Sequence, residues 1–135
     1  PKGIKYLGVE SANEMLNAVK IHLPGQQMFI GAAAVSDYRP NQIHLQKFPK
    51  LEEHLSFDLI KNPDILSYVA NCEARPRCVI GFAAQTHDTI LYAREKLFSK
   101  KVDVIIANQV GTKNTGFGHD TNSGYILTRD SQLEL

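Results

Sequence analysis

Three short apolar runs constrain the fold of this chain more than any other feature of its sequence. They are MFIGAAAV at residues 28–35, CVIGFA at residues 78–83 and VDVIIA at residues 102–107. Runs of this kind are typical of strands that are buried on both faces of a sheet. Stretches with a helical period alternate with them, which is the pattern of βαβ units. The sequence therefore predicts a single α/β domain over residues 1–135, with a Rossmann-like three-layer fold and a mostly parallel sheet.

Local capping signals predict where the helices begin. Ser11, with Glu14 three residues later, forms a capping box for a helix that ends near residue 22. Asn62 is a good N-cap, Pro63 suits the first helical position and Asp64 adds an acid to the first turn, which predicts a second helix over residues 62–72. A third helix is predicted over residues 88–101, with an apolar side of Ile90, Leu91, Ala93, Leu97 and Phe98 and with Lys96 and Lys100 along its margin.

The remaining segments divide into strands and loops. Residues 4–9 are predicted as a first strand and residues 28–35 as a central one, while residues 54–60 alternate like a half-buried strand. Residues 125–128 and 132–135 predict a C-terminal β-hairpin. Residues 41–53 are polar and lack a period, which predicts a long lid loop, and residues 111–123 form a loop rich in Gly and Asn.

Composition excludes several classes of function. The formal net charge of +1 gives no whole-domain attraction for nucleic acid, and no apolar run reaches the roughly 20 residues of a membrane span. The five histidines lack the spacing of a zinc site, and Cys72 and Cys78 are predicted as reduced thiols rather than a disulfide. No signal peptide precedes the first strand, so a cytoplasmic location is expected.

Ligands of parallel α/β sheets bind outside the carboxyl ends of the strands. Four predicted loops lie at that edge, at residues 36–40, 62–64, 82–86 and 108–110. Free amides at the start of a helix and the ammonium groups of Lys47, Lys96 and Lys100 suit phosphates. Asp37 suits either a divalent cation or a hydroxyl group. Residue chemistry thus predicts an anionic ligand and leaves its identity open.

Each of these residues also has an ordinary structural explanation. Asp37 serves equally well as a capping acid in a turn, and Phe82 as plain core on a buried strand. An Asn-Pro-Asp sequence is a well-capped helix start whether or not it binds a ligand. Lysines in a polar loop or on a helix margin are commonly solvated. The choice between these explanations therefore needs more than spacing.

Seven motifs together resemble one family. In chain order they are AAAVSDYRP, QKFPK, LIKNPDIL, VIGFAAQT, YAREKLFSKK, DVIIANQV and GFGHDTN. This set resembles the phosphopantothenate cysteine ligase (phosphopantothenoylcysteine synthetase) family of coenzyme A biosynthesis over nearly the whole chain. The lysine-bearing lid is similar to the bacterial branch, which uses CTP, rather than the eukaryotic branch, which uses ATP.

The resemblance implies a reaction and a set of roles. The carboxylate of 4'-phosphopantothenate attacks the α-phosphate of CTP, giving an acyl-cytidylate and pyrophosphate, and the amine of cysteine then displaces CMP. By this resemblance Lys47 is the catalytic residue, Asn108 orients substrate, and Asp37 holds a ribose hydroxyl or Mg²⁺. The positions implied to bind nucleotide are Gly31, Ala32, Ala33, Asp37, Lys47, Pro63, Asp64, Ile65, Leu66, Phe82, Lys96 and Lys100.

The chain also departs from the family pattern. Pro49 stands where the family's lid carries a basic residue, and Gln85 where glutamate is common. The family's glycine-rich first strand-to-helix turn and its Asn-bearing phosphopantothenate segment do not precede Pro1. An N-terminally incomplete ligase domain is therefore expected, which keeps more of the CTP half of the site than of the pantothenate half.

The resemblance further implies partners. It predicts a homodimer and, in many bacteria, fusion to a flavin-dependent decarboxylase domain, with no FMN bound by the present chain. Two alternatives stay open, an NAD(P)-dependent oxidoreductase and a non-catalytic nucleotide-binding Rossmann-like module. The first is disfavoured because no GxGxxG follows any predicted strand. The second is favoured by the absent N-terminal motifs.

Overall fold

The fold is described from a computed structural model that covers residues 3–42, 54, 56–110 and 124–135. Within these ranges it contains three helices and seven strands. The helices are α1 (Ala12–His22), α2 (Ile65–Asn71) and α3 (Thr89–Lys100). The strands are β1 (Met28–Gly31), β2 (Tyr38–Pro40), β3 (Leu59–Lys61), β4 (Cys78–Gln85), β5 (Val104–Gln109), β6 (Gly124–Leu127) and β7 (Gln132–Glu134).

The central sheet has the strand order β1-β4-β5-β6-β7. β4 pairs in parallel with β1 on one side and with β5 on the other, whereas β6 and β7 continue the sheet as antiparallel strands. A separate antiparallel pair, β2 with β3, stands apart from this sheet. The predicted α/β fold with its parallel sheet is confirmed, and so is the C-terminal β-hairpin.

The core lies between the parallel strands and α3. Val79 and Ile105 on neighbouring strands are fully buried, and Ala93 and Leu97 of α3 are buried with them. The predicted burial on both faces is wrong, however, because β4 is buried only at alternate positions, at residues 79, 81 and 83, while residues 82 and 84 are exposed. The predicted apolar side of α3 is too wide, however, since Leu91 and Phe98 are exposed. An i, i+4 stripe covers only part of a helix circumference.

The capping box of α1 is confirmed. Ser11 Oγ accepts from the Glu14 backbone N–H at 3.2 Å, and Glu14 Oε2 accepts from the Glu10 backbone N–H at 2.9 Å. These hydrogen bonds, the one from Glu10 foremost, lower the pKa of the Glu14 carboxyl. The helix ends at His22, as predicted, before Pro24 and Gly25.

The predicted N-cap of α2 is wrong by two residues. Asp64, not Asn62, caps the helix, because its Oδ1 accepts from the Ser67 backbone N–H at 2.9 Å. Pro63 therefore precedes the N-cap instead of occupying the first helical position. The Asn62 carboxamide instead bonds the Ser36 carbonyl and the Arg39 side chain.

Three predicted strands differ from the structure. Residues 4–9 form no strand, because no described strand lies alongside to supply hydrogen bonds. The run at residues 28–35 is a strand only over β1, which is an edge strand of the described sheet rather than a central one. Among the described residues of 54–60, only Leu59 and Ile60 are in a strand, and Phe57 and Leu59 are exposed. The apolar composition predicted an extended chain. It did not predict which strands would pair with one another.

Three further predictions concern the two cysteines, membrane-spanning helices and the two long loops. Cys72 and Cys78 are free thiols, as predicted. No helix in the described ranges is long and apolar enough to cross a membrane. Most of the predicted lid, residues 43–53, and the predicted loop at residues 111–123 lie outside the described residues.

Candidate functional site

A cavity of about 350 Å³ opens where β1 ends. β1 stops at Gly31, whereas β4 continues to Gln85, so the chain after Gly31 leaves the sheet and forms one wall. The start of α2 forms a second wall, and lysine side chains of α3 reach the same space. The lining residues are Met15, Phe29, Gly31, Ala33, Val35, Ser36, Asp37, Tyr38, Lys61, Asn62, Pro63, Asp64, Ile65, Leu66, Phe82, Lys96 and Lys100.

One side of the cavity carries a small charge network. Lys100 Nζ forms an ion pair with Asp64 Oδ2, while Asp64 Oδ1 caps α2. Lys96, one helical turn before Lys100, donates from Nζ to the Phe82 carbonyl at 2.7 Å. Phe82 lies just beyond the last residue of β4 that pairs with β1. Two ammonium groups and one carboxylate therefore face the same cavity.

Two groups of this network, Lys96 and Asp64, have pKa values below their ordinary ones. Burial lowers the pKa of Lys96, and the nearby positive charge of Lys100 lowers it further, against the opposing attraction of Asp64 and Asp37. For Asp64, burial acts to raise the pKa, but hydrogen bonds from Lys100 and from the Ser67 N–H outweigh it and lower the pKa overall. Loss of water around the Lys96 ammonium is thus the main cause of its lowered pKa. An anion entering the cavity would supply a counter-charge to this desolvated group.

The opposite wall is made by residues 36–38 and the segment before α2. Asn62 Nδ2 donates to the Ser36 carbonyl at 2.8 Å, and the Asn62 N–H donates to the Asp37 carbonyl at 2.7 Å. Arg39 Nη1 donates to Asn62 Oδ1 at 2.9 Å and to the Lys61 carbonyl at 3.1 Å. Arg39 therefore ties the last residue of β3 to the Asn62 side chain. Asp37 itself is exposed at the cavity.

The floor of the cavity is apolar and closely packed around Gly31. A Cβ at Gly31 would lie 3.1 Å from Phe29 Cε1 and 3.3 Å from Leu66 Cδ1, which is tighter than ordinary contact. The missing side chain therefore lets Phe29 and Leu66 approach the main chain at the strand end. Phe82 is 37% exposed, so this ring is a surface of the cavity rather than plain core.

Most of the predicted nucleotide positions meet at this cavity. Gly31, Ala33, Asp37, Phe82 and the two lysines of α3 line it, together with residues 63–66. Ala32 does not line it, and neither does Asn108, which lies on β5 opposite Gly124 and Ala84. Lys47, the predicted catalytic residue, lies outside the described residues.

Seven of the described lining residues were not chosen individually as site residues. Tyr38, Lys61 and Asn62 already lie inside the motifs AAAVSDYRP and LIKNPDIL, but no binding role was assigned to them. Phe29 and Val35 belong to the apolar run whose end was singled out. No signal in the sequence pointed to Met15 of α1. The full set that was missed is Met15, Phe29, Val35, Ser36, Tyr38, Lys61 and Asn62.

The fit of a metal ion can be tested on the acids. The described residues contain no cluster of three or more His, Cys, Asp or Glu that would enclose a metal. Asp64 is already engaged by Lys100 and by the Ser67 N–H, which leaves the exposed Asp37 carboxylate. Mg²⁺ is often held by one or two carboxylates together with substrate phosphates. The described residues therefore fit a Mg²⁺ that arrives with the phosphates of a substrate.

Comparison with known proteins finds relatives that match nearly the whole length of this chain. It is 37% identical over 137 residues to the coenzyme A biosynthesis bifunctional protein CoaBC of Vibrio parahaemolyticus, covering 100% of this chain and 34% of the relative. The protein of the same name from Escherichia coli K12 is 37% identical over 138 residues, with the same coverage. That of Mycolicibacterium smegmatis is 34% identical and covers 96% of this chain and 34% of its own. The chain thus spans about a third of the length of these relatives.

Solved structures agree with the fold. The crystal structure of the C-terminal domain of CoaBC superposes with a TM-score of 0.76 at 32% identity, covering 100% of this chain and 58% of that one. The DNA/pantothenate metabolism flavoprotein of Streptococcus pneumoniae has a TM-score of 0.74 at 20% identity over 94% of this chain and 64% of its own, a likeness of fold alone.

The sequence profile described as the DNA/pantothenate metabolism flavoprotein C-terminal domain matches residues 1–135. The resemblance drawn from the seven motifs is confirmed at the level of the family, and this chain belongs to the DNA/pantothenate metabolism flavoprotein C-terminal domain family.

Proposed function

We propose that this domain carries out the phosphopantothenate cysteine ligase step of coenzyme A biosynthesis with CTP. The observation that carries the proposal is the convergence of Lys96 and Lys100 on a cavity at the end of β1. Relatives that match the whole chain at 37% identity are named coenzyme A biosynthesis bifunctional proteins, and the match falls in their C-terminal domain family. A ligase that activates a carboxylate with a nucleotide needs such a polyphosphate site.

The charges of the cavity suit a triphosphate. Two ammonium groups one turn apart can bind the same polyphosphate chain, and the desolvated Lys96 would gain most from a new counter-charge. Asp37 would hold a ribose hydroxyl or a phosphate-bound Mg²⁺, which would supply charge neutralisation at the reacting phosphate. The main chain at Gly31 and Ala33 and the Phe82 ring would accommodate the base. Ala32 and residues 63–66 complete the proposed nucleotide site.

The reaction then has two displacement steps. The 4'-phosphopantothenate carboxylate attacks the α-phosphorus of CTP, and pyrophosphate leaves with the electron pair of the broken bond. The cysteine amine attacks the acyl carbon, loses a proton and expels CMP. Lys47 remains our proposed catalytic residue, because an ammonium near the α-phosphate stabilises the charge that grows during the first step. Asn108 remains a proposed substrate contact.

The test is release of pyrophosphate by the full-length protein that contains this domain. Pyrophosphate is expected to appear only when CTP and 4'-phosphopantothenate are both present, and Lys47→Ala is expected to lower the rate by about a hundredfold or more. Binding of CTP without any pyrophosphate release would favour a non-catalytic nucleotide-binding module. Binding of NAD(P) in place of CTP would favour an oxidoreductase.

Base preference needs its own measurement. Calorimetric titration of the full-length protein with CTP and with ATP is expected to give the tighter binding for CTP. Equal affinities would contradict the CTP assignment while leaving the ligase chemistry intact.

The wider context of the domain belongs to the same proposal. We expect a cytoplasmic homodimer fused to a flavin-dependent decarboxylase domain, consistent with the word bifunctional in the names of the relatives. FMN would then be held by that other domain and not by the residues of this chain.

A further inference from the structure

Three hydrogen bonds of Asn62 join two walls of the cavity that are distant in sequence. Its side-chain Nδ2 donates to the Ser36 carbonyl at 2.8 Å, and its Oδ1 accepts from Arg39 Nη1 at 2.9 Å. Its backbone N–H donates to the Asp37 carbonyl at 2.7 Å. The carbonyls of two successive residues, Ser36 and Asp37, are thus fixed by one residue. That residue directly precedes Pro63 and the N-cap of α2.

The chemistry of this position requires a carboxamide. Asparagine offers a donor and an acceptor on one short, rigid side chain, and Asn62 uses both at once. An ionised aspartate there would keep the contact with Arg39 but would place a second oxygen against the Ser36 carbonyl. A leucine of similar size would lose both contacts. Because Asn62 is half-buried, water replaces such bonds poorly.

Arg39 supports the same junction from β2. Its Nη1 also donates to the Lys61 carbonyl at 3.1 Å, so the guanidinium bridges the last residue of β3 and the Asn62 side chain. Arg39 lies opposite Ile60 in the two-stranded sheet and is half-buried. The sheet β2–β3 and the start of α2 are therefore connected by side chains as well as by the chain itself.

From this geometry we infer that Asn62 is a positioning residue of the nucleotide site. It holds the main chain around Asp37 at a fixed spacing from the start of α2, so that Asp37 faces Lys96 and Lys100 across the cavity. Asn62 acts through Asp37 and through the segment before α2. The inference rests on the proposed function, since it assigns a task within that site.

The principal test compares two leucine variants of the full-length protein. Asn62→Leu is expected to raise the KM for CTP in pyrophosphate release by about tenfold, while kcat stays within about twofold of wild type. Asn41→Leu is the matched control, because Asn41 Nδ2 bonds Asp58 Oδ2 at 2.8 Å beyond the far end of the β2–β3 pair and does not line the cavity. That control is expected to keep the wild-type KM. Equal KM values for the two variants would overturn the inference.

A second arm asks whether Asn62 and Arg39 act as one unit. If they do, the double variant Arg39→Leu with Asn62→Leu will have a KM within about twofold of the worse single variant. Fully multiplicative effects on KM would mean that the two residues act separately, which contradicts the junction described above.

A third arm does not depend on activity. Amide hydrogen exchange of the unliganded full-length protein is expected to accelerate at residues 36–39 in Asn62→Leu and not in Asn41→Leu. If wild type releases no pyrophosphate from CTP, the proposed function fails, and exchange alone decides the inference. Unchanged exchange at residues 36–39 would overturn it even where wild type is an active ligase.

Discussion

Two ion pairs of nearly equal exposure serve different regions of this domain. In the pair Arg75–Asp103 the side chains are 29% and 35% exposed, and in the pair Lys100–Asp64 they are 33% and 36% exposed. These are the ion pairs found in the described ranges of the chain. Exposure alone would assign both of them the small energies of surface pairs. Their other contacts separate them.

Arg75 and Asp103 join pieces of main chain. Arg75 donates to the carbonyls of Ala70 and Pro76 at 3.0 Å each and reaches both oxygens of Asp103. Asp103 Oδ2 also accepts from the Val79 N–H at 2.7 Å. The end of α2, the start of β4 and the turn into β5 are thereby fastened together. Every contact in this network is made within the protein.

Lys100 and Asp64 stand in the cavity instead. One carboxylate oxygen of Asp64 caps α2, and Lys96 adds a second ammonium group nearby. Positive charge exceeds negative charge on this side of the cavity, which is a poor arrangement for stability and a good one for holding an anion. The contacts around an ion pair therefore indicate its role better than its exposure does.

The largest expected effect comes from breaking the structural pair. Asp103→Ala removes two bonds to Arg75 and one to the Val79 N–H, so we expect the free energy of unfolding to fall by about 2 kcal/mol in denaturant titration. The KM for CTP should not change. Glu73→Ala, an exposed acid in the neighbouring turn, is the control and should alter stability by less than about 0.5 kcal/mol. An equal loss of stability in both variants would show that the Arg75–Asp103 contacts do not stabilise the fold.

Breaking the Lys100–Asp64 pair should weaken CTP binding and leave stability almost unchanged. Lys100→Gln is expected to raise the KM for CTP about tenfold, equivalent to about 1.4 kcal/mol, because a phosphate contact is lost. Stability should change by less than about 0.5 kcal/mol. Lys101→Gln removes the same charge one residue later, away from the cavity, and should leave KM unaltered. If both lysine variants bind CTP alike, Lys100 has no place in the site.

A substitution of similar shape at Asp64, the other partner, should have a smaller effect. Asp64→Asn keeps a good N-cap and removes one negative charge beside the proposed phosphate position, so affinity for CTP should increase by about threefold. Asp64→Ala removes the cap as well and should cost about 1 kcal/mol of stability. Weaker CTP binding by Asp64→Asn would show that the carboxylate itself contributes to binding.

The pH dependence of stability should give the smallest effect. The pKa of Asp64 lies below its ordinary value of 3.8, so the unfolded chain takes up this proton before the folded protein does as the pH falls. The contribution of Asp64 is therefore complete above the unfolded pKa and is lost as the pH falls through the folded pKa. Unfolding of wild type and Asp64→Asn, compared between about pH 6 and pH 2, should show wild type losing more stability. Parallel curves of stability against pH for the two proteins would contradict a lowered pKa of Asp64.

The sequence predicted the elements whose signals are local. The capping box of α1, the helix α3, the strands β4 and β5 and the terminal hairpin all depend on neighbouring residues, and all of them were found. Residues 4–9 and the edge position of β1 depend on which strands pair, which a single sequence does not record. The true N-cap at Asp64 was missed because two good capping residues flank one proline.

The site was predictable in part for a similar reason. Lys96 and Lys100 share a helix face, so their convergence followed from helical spacing. Asp37 and Phe82 were identified from motifs at strand ends. The roles of Asn62 and Arg39 were not predictable, because their hydrogen bonds join residues 22 to 26 positions apart through a two-stranded sheet that the sequence did not indicate.

We expect the nucleotide to bind in the cavity at the end of β1 and not at the Arg75–Asp103 end of the domain. A crystal structure of the full-length protein with a non-hydrolysable CTP analogue tests it most directly. We predict phosphate oxygens within hydrogen-bond distance of Lys96 Nζ and Lys100 Nζ, with the Lys100–Asp64 pair opened or shared. A triphosphate bound elsewhere on the domain, with Lys96 still bonded to the Phe82 carbonyl and Lys100 to Asp64, would show that this cavity is not the nucleotide site.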